Sequence, residues 1–363
     1  PRRDHMRSVH GTAIADPWFW LRNRDDPAVL AHLESENAYT EQAVAHLADL
    51  REVLFEEIRS RIQETDQSIP VPKGPWEYRV RTVEGLQYAI HVRRPRGGDD
   101  EDEVTLLDEN VLAEGHDYFA LGDLSISPDH RLLAYTVDTD GDEEYSLVVL
   151  DLDTGEVLDD SLGELSYGLV WGNDNRTLFV VCMDEARRPD HVLRHLVGAD
   201  PRSDVEVYRE DDERFWVGIG ATRSERFVVI GAESKTTSEY WIIDADEPSG
   251  RPRVIQPRSD GVEYRINHQG DRFLILTNLD AVDFRLMETP VDAPGVANWS
   301  ELIPHRPGTR IEDVDTFESF TIIAERRNAV PVIRIVDRAS GESHDVEVPE
   351  PVYEAAPGSN AEY

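Results

Sequence analysis

Two histidines four residues apart, His191 and His195 in HVLRH, form the pair that most suggests metal chemistry. On a helix that spacing would put both imidazoles on one face, as a zinc site requires. No Glu stands between them, and a repeat described below places them around a strand, where the same spacing also shares a face. They read as packing or surface histidines. A serine nucleophile needs G-x-S-x-G, whose strained strand-to-helix turn exposes the hydroxyl. The chain offers only GELSYG, Gly163 to Gly168, with the wrong spacing and at a repeat junction. DTDGDEE, Asp138 to Glu144, is acidic enough to suggest calcium but lacks the spacing and closing Glu of an EF-hand loop, so it reads as a solvated hairpin. Asn175-Arg176-Thr177 and Asn298-Trp299-Ser300 match the glycosylation acceptor pattern and read as turn residues. Cys182, the single cysteine, lies in the apolar run LFVVCMD and reads as a buried, inert thiol, with no disulfide or thiolate cage available to it. An H-E-x-x-H motif, a phosphate loop and a dinucleotide fingerprint are absent. The residues therefore assign no catalytic, cofactor or metal position, and they leave substrate-binding positions unassigned.

The elements that would position such groups fall into two textures. Residues 26–62 contain no Gly, and Pro27 is their only proline. Asp26-Pro27 is a helix start, with Asp capping and Pro in the first turn. Leu30 and Leu33, then Leu47, Leu50, Leu54 and Ile58, fall three or four apart and make one apolar stripe on one or two amphipathic helices. From Trp76 onward short β-rich runs alternate with polar turns. The runs LLAYTVD, LFVVCMD, FVVIGAES, FLILTNLD and FTIIAERR begin at Leu132, Leu178, Phe227, Phe273 and Phe320, spaced 46, 49, 46 and 47 residues apart. The turns before them, SPDH, GNDN, TRSE, HQGD and TFES, supply side-chain caps or positive φ. A second track, Gly155, Gly198, Gly250, Gly295 and Gly341, keeps the same period.

Two tracks in register make a repeat. A period near 47 residues with about four short strands per unit reads as a β-propeller. Stacked β-sandwich domains would need about 100 residues per unit. The expected organisation is a helical arm and linker at 1–75 and a propeller at 76–363, with about six blades and the start of another. Residues 97–103, GGDDEDE, read as a solvated hairpin tip within the first blade.

Composition bounds the partners. There are 74 acidic and 37 basic residues, a formal charge of −37, and only Lys73 and Lys235 are lysines. Nucleic acid and anionic membranes would add like charge, so neither is expected; the acidity either favours cationic peptides or only keeps a surface solvated. No stretch approaches a membrane span or a secretory signal, and a cytoplasmic protein is the expectation.

Several stretches resemble oligopeptidase B (protease II) of the prolyl oligopeptidase family of serine peptidases. HGTAIADPWFWLRNRDDPAVLAHLESENAYTE is similar to the family's entry segment, and RIQETDQSIP to the peptide leading into its propeller. LLDENVLAEGHDYFALGDLSISPDHRLLAYTVD, RRPDHVLRH, TTSEYWIIDAD and GVEYRINHQGDRFLILTN resemble its blades. The resemblance implies a mainly β fold, a propeller of the seven-bladed type with about six blades present and the ring incomplete, and a helical arm that packs on an α/β-hydrolase domain. It implies cleavage of short peptides after Arg or Lys by a Ser-Asp-His triad, with the propeller as a size filter. The triad, the oxyanion hole and the pockets for basic side chains belong to the family's C-terminal half, so none is carried over to a residue here. The chain is then an N-terminal fragment, inactive alone, whose partners are short basic peptides and the missing hydrolase domain. The alternative is a free-standing acidic propeller that binds proteins or peptides; the WD dipeptide of one large propeller class is absent.

Overall fold

The computed structural model describes residues 1–358 and 360–363. They form two compact units, Pro1–Glu64 and Thr65–Tyr363.

In the first unit a hairpin, Met6–Val9 with Thr12–Ala15, turns at His10 and Gly11, both at positive φ. Helix α1, Pro27–Val44, starts at the expected cap: the Asp26 carboxylate accepts the Ala28 N–H at 2.8 Å and Pro27 fills the first turn. A 3-10 turn, Ala45–Leu47, separates α1 from helix α2, Ala48–Arg59. The stripe of Leu50, Leu54 and Ile58 is exposed, Ile58 to 61%. Amphipathic helices draw most of their stability from packing such a stripe, and no described residue covers this face of α2. No helix of the described residues is long and apolar enough to cross a membrane.

The second unit is six antiparallel sheets in sequence order. In blade 1, Trp76–Thr82 pairs with two short strands, Asp66–Gln67 and Val71–Lys73, then with Ile90–Pro95, which pairs with Val104–Asp108. Residues 65–75, read from sequence as linker, thus contribute the first strand of a blade. Blade 2 comprises Ala120–Ile126, Leu132–Asp138, Ser146–Asp151 and Val157–Asp159. Blade 3 comprises Leu165–Trp171, Thr177–Met183, Pro189–Leu196 and Val205–Arg209. Blade 4 comprises Trp216–Ala221, Phe227–Glu233, Ser238–Asp244 and Arg253–Gln256. Blade 5 comprises Tyr264–Gln269, Arg272–Thr277, Arg285–Pro290 and Ser300–Ile303. Blade 6 comprises Thr309–Thr316, Phe320–Arg327, Val330–Asp337 and Ser343–Asp345. Each repeated apolar run is the second strand of its blade, and the repeated glycines sit in the turns between third and fourth strands.

The second strands carry the core because both of their faces are covered by neighbouring blades. Leu178, Phe179, Val180 and Val181 are all fully buried, as are Leu274 and Ile275. One face meets the preceding blade and the other the next. Leu178 joins Leu147 and Val149 of blade 2, while Phe179 joins Val217 and Val228 of blade 4. Burying one such side chain stabilises by about 1.5–3 kcal/mol. Clusters of this kind join blades 1–2, 2–3, 3–4, 4–5 and 5–6, and among the described residues none joins blade 6 to blade 1. The ring of blades is incomplete.

Candidate functional site at the turn end of the central channel

The first strand of each blade is innermost, and first strands of blades 2 and 3, 3 and 4, and 5 and 6 touch one another. They surround a channel. Beside blades 4 and 5 it opens into a cavity of about 530 Å³ lined by Trp216, Ala221, Arg223 and Asn267. A Cβ added at Gly218 or Gly220 would meet nothing within 4 Å, so these glycines border open space.

At one end of the channel the turns joining first to second strands converge. In blades 1 to 5 each turn holds one residue in the left-handed region: Gly74, His130, Asn175, Glu225 and Gly270, with φ between 54° and 66°. Gly is unstrained there and Asn is tolerated, whereas His and Glu each pay roughly 1 kcal/mol of backbone strain. The His130 ring lies against Gly74, next to Lys73, and Glu225 meets Lys73 itself. The Glu225 carboxylate accepts from Lys73 Nζ at 2.7 Å. Blades 1 and 4 stand three blades apart, so this ion pair spans the channel. Arg223 reaches blade 6 in the same way, forking onto Asp315 at 2.8 and 2.6 Å and lying over the Phe317 ring at 4.5 Å.

Hydrogen bonds link the turns around these cross-pairs. The Tyr78 hydroxyl meets His130 Nδ1 at 2.7 Å, and the Asp129 N–H donates to Asn175 Oδ1 at 2.8 Å. Asn173 donates to the Glu225 carbonyl at 3.0 Å, the Ser224 hydroxyl meets His268 Nδ1 at 2.7 Å, and Gln269 donates to the Phe317 carbonyl at 2.8 Å. Burial holds the His130 imidazole below its ordinary pKa, helped by the charges of Lys73 and Arg93, and burial does the same to His268. Lys73 and Glu225 are 33% and 45% exposed, so their pair contributes at most about 1 kcal/mol. It stands between blades 1 and 4 and is weak. The chemistry on offer is electrostatic, with charged groups in the path of whatever enters by this end.

The residues singled out in the sequence have structural duties elsewhere. His195 is completely buried on its strand between two carboxylates, Asp159 and Asp204, at 2.8 Å from each nitrogen. Burial alone would raise the Asp159 pKa, but hydrogen bonds from Ser161, His195 and Gly198 outweigh it and hold the carboxyl at about 2. This network ties blade 2 to blade 3. His191 instead pairs with Asp190 at 2.6 Å. Ser166 of GELSYG is buried within the first strand of blade 3, away from any strand-to-helix turn.

In DTDGDEE the Asp138 carboxylate accepts the backbone N–H groups of Asp140, Gly141 and Glu143, while Asp142 and Glu144 pair with Arg187. The acidic tip 97–103 is less solvated than expected: Glu103 is nearly buried against Arg79, and Asp100 pairs with Arg79 and Arg94. Asn175 is a turn residue at φ 57°, and Asn298 caps its own turn through Ala293. Burial pushes the Cys182 thiol up to about 12, which makes it inert. Lys73, Arg223, Glu225 and Asp315 were not singled out. The one available signal was the scarcity of lysine, with Lys73 one of two.

Comparison with known proteins places this architecture. The family model for the prolyl oligopeptidase N-terminal beta-propeller domain matches residues 1–363. The chain belongs to the prolyl oligopeptidase family. Among members of that family, dipeptidyl aminopeptidase BI of Pseudoxanthomonas mexicana is 36% identical over 98% of this chain and 52% of its own length. Protease 2 of Moraxella lacunata is 31% identical over 100% of this chain and 53% of its own length. Oligopeptidase B from Trypanosoma brucei, in a closed form with covalently bound antipain, superposes with a TM-score of 0.88 at 32% identity, covering 97% of this chain and 53% of that one. Oligopeptidase B from Leishmania major superposes at 0.90 with 27% identity, covering 96% and 53%. The chain spans about half the length of the curated relatives it matches. As a prolyl oligopeptidase family propeller it has the expected fold: mainly β, blades of four strands, a helical N-terminal arm, and no hydrolase domain within these residues.

Proposed function

We propose that this chain is the substrate-admitting cap of a serine oligopeptidase that cleaves short peptides after Arg or Lys, and that it is inactive alone. One observation carries the reading: a chain matching the family's propeller end to end covers only half of each two-part relative. Two physical features support the finer claims. A formal charge of −37 attracts cationic peptides over a Debye length of about 8–10 Å, chiefly raising their encounter rate. The weak Lys73–Glu225 pair across the turn end opposes bulky entrants while yielding to a flexible chain. The exposed α2 stripe and the open edge between blades 6 and 1 fit a hydrolase domain and a seventh blade as covalent partners. A buried thiol without a disulfide fits a cytoplasmic setting.

The test is an amidase assay with Arg-, Lys- and Pro-terminated reporters, run on the 363-residue chain and on the whole reading frame that contains it. The chain alone turns over nothing, and the whole protein cleaves Arg and Lys reporters in a reaction stopped by a serine-directed inhibitor. Inhibitor-sensitive turnover by the chain alone, or a preference for the Pro reporter, overturns the reading. The 36% identity to a protein named dipeptidyl aminopeptidase favours a second reading, removal of dipeptides from free N-termini. Blocking the reporter's N-terminus separates the two, since a dipeptidyl aminopeptidase loses activity and an oligopeptidase keeps it.

A further inference from the structure

Between the outer parts of blades 5 and 6 lies a cavity of about 350 Å³, away from the channel, whose polar lining is dominated by guanidinium groups. Arg272 from blade 5, Arg306 from the connection between the blades, and Arg334 and Arg338 from blade 6 all border it. The rest of the wall is largely apolar, with Leu286, Ile303 and others from the two blades. Four arginines on one small cavity are unexpected in a chain with twice as many acidic as basic residues.

The carboxylates that balance these arginines turn away from the cavity. Arg272 pairs with Glu288, and Arg306 and Arg334 share the fully buried Glu325, and neither carboxylate lines the space. Arg338 reaches Asp271, whose side chain is in solvent. Asp337 does line the cavity, but one carboxylate oxygen is engaged by its own turn, accepting from the Ala339 and Ser340 N–H groups and the Ser340 hydroxyl. Arg334 Nη2 lies 2.9 Å from Glu325 Oε1 but off the hydrogen-bonding direction. Arg334 Nε and Nη2 and Arg272 Nε are consequently buried donors without a hydrogen-bond acceptor among the described residues. With these N–H groups unpaired, the protein compensates the positive charge of the two guanidinium groups only in part, which is costly for buried groups.

We propose that this cleft is a binding site for a small organic anion, a carboxylate or phosphate monoester carried on an apolar body. The anion would lie against the guanidinium groups of Arg334 and Arg272 where they border the cavity, with Arg338 closing over it, while the apolar body packs on Leu286 and Ile303. The chain's net negative charge does not forbid this, because a ligand seated on guanidinium groups responds to charges within a Debye length of about 8–10 Å. The site is independent of the peptidase reading and would operate equally in a free-standing propeller.

The test is calorimetric titration of the 363-residue chain with benzoate, phenyl phosphate and benzyl alcohol, the last being the neutral control. Saturable binding of benzoate or phenyl phosphate, at least tenfold tighter than benzyl alcohol, is expected, and whichever anion binds tighter tells carboxylate from phosphate ligands. Arg334→Met should weaken it at least tenfold and Arg338→Gln at least threefold, while Arg202→Met, in an exposed turn of blade 3 outside the cavity lining, should leave it unchanged. Arg334→Met leaves Glu325 paired with Arg306 and Arg327, so the blade should keep its fold, and Arg338→Gln tests the site from a residue outside the buried network. Absence of saturable binding, equal affinity for benzyl alcohol, or affinities unchanged in both variants would show a merely water-filled cleft and overturn the proposal.

Discussion

At the residue scale, the informative groups are those whose partners lie far away in sequence. The Lys73–Glu225 pair should show a coupling of about 0.5 kcal/mol in a double-mutant cycle with Lys73→Met and Glu225→Gln, shrinking with added salt. Urea midpoints of the four proteins measure it, and a coupling of zero would mean that the pair adds nothing to stability. Glu225→Gly, which relieves the φ of 54°, should cost less stability than Glu225→Gln despite removing more atoms. His195→Ala leaves Asp159 and Asp204 buried together without their bridge and should cost about 3–5 kcal/mol, read as a large drop in melting temperature. His130 and His268, both held below their ordinary pKa by burial, act in the acid direction. As pH falls through the unfolded-state value of about 6.5, the unfolded chain takes up protons that the folded rings resist, so stability declines below neutrality. A His130→Asn, His268→Asn double variant should flatten that decline in pH-dependent melts. None of these pairings was legible in the sequence. Local pattern says that His195 sits on a strand, but not that Asp159 of another blade waits 2.8 Å away.

At the element scale much more was legible, because periodicity is a local signal. The five repeated apolar runs are second strands, and four of the five polar turns before them carry a left-handed residue: His130, Asn175, Glu225 and Gly270. The Asp26 cap was equally readable, since capping needs only three consecutive residues. The split first strand of blade 1 was not, because Pro72 cannot donate to a ladder and argues against a strand; it is tolerated on the inner edge, where no neighbour needs its N–H. Gly168 is the sharpest test of element packing. It sits within the first strand of blade 3 at φ 120°, and an added Cβ would lie 2.8 Å from Val181 and 2.9 Å from Ile219 of blade 4. Gly168→Ala should therefore destabilise by about 2–4 kcal/mol, from strain and overpacking together, whereas Gly220→Ala, which faces open space at ordinary φ, should change stability by under about 1 kcal/mol. Thermal denaturation of the two variants side by side separates the cases.

At the scale of the whole molecule, composition and architecture point the same way. The acidity, the exposed α2 stripe and the open edge after blade 6 are the three features that the proposed cap role accounts for together: a field for cationic peptides, and a helix face and a blade face for further covers. The 363-residue chain alone should therefore self-associate, with a sedimentation-velocity profile that shifts with concentration; a concentration-independent monomer would favour the free-standing propeller. A catalytic half was implied only by the resemblance of the blades to the family, and no residue of this sequence could point to it. The most direct measurement is the nucleotide sequence following the codon for Tyr363. The account predicts an open frame that completes another blade and runs on to a serine in a G-x-S-x-G setting, followed by Asp and His. A stop codon within a few residues of Tyr363 would contradict it and leave a propeller whose work is binding alone.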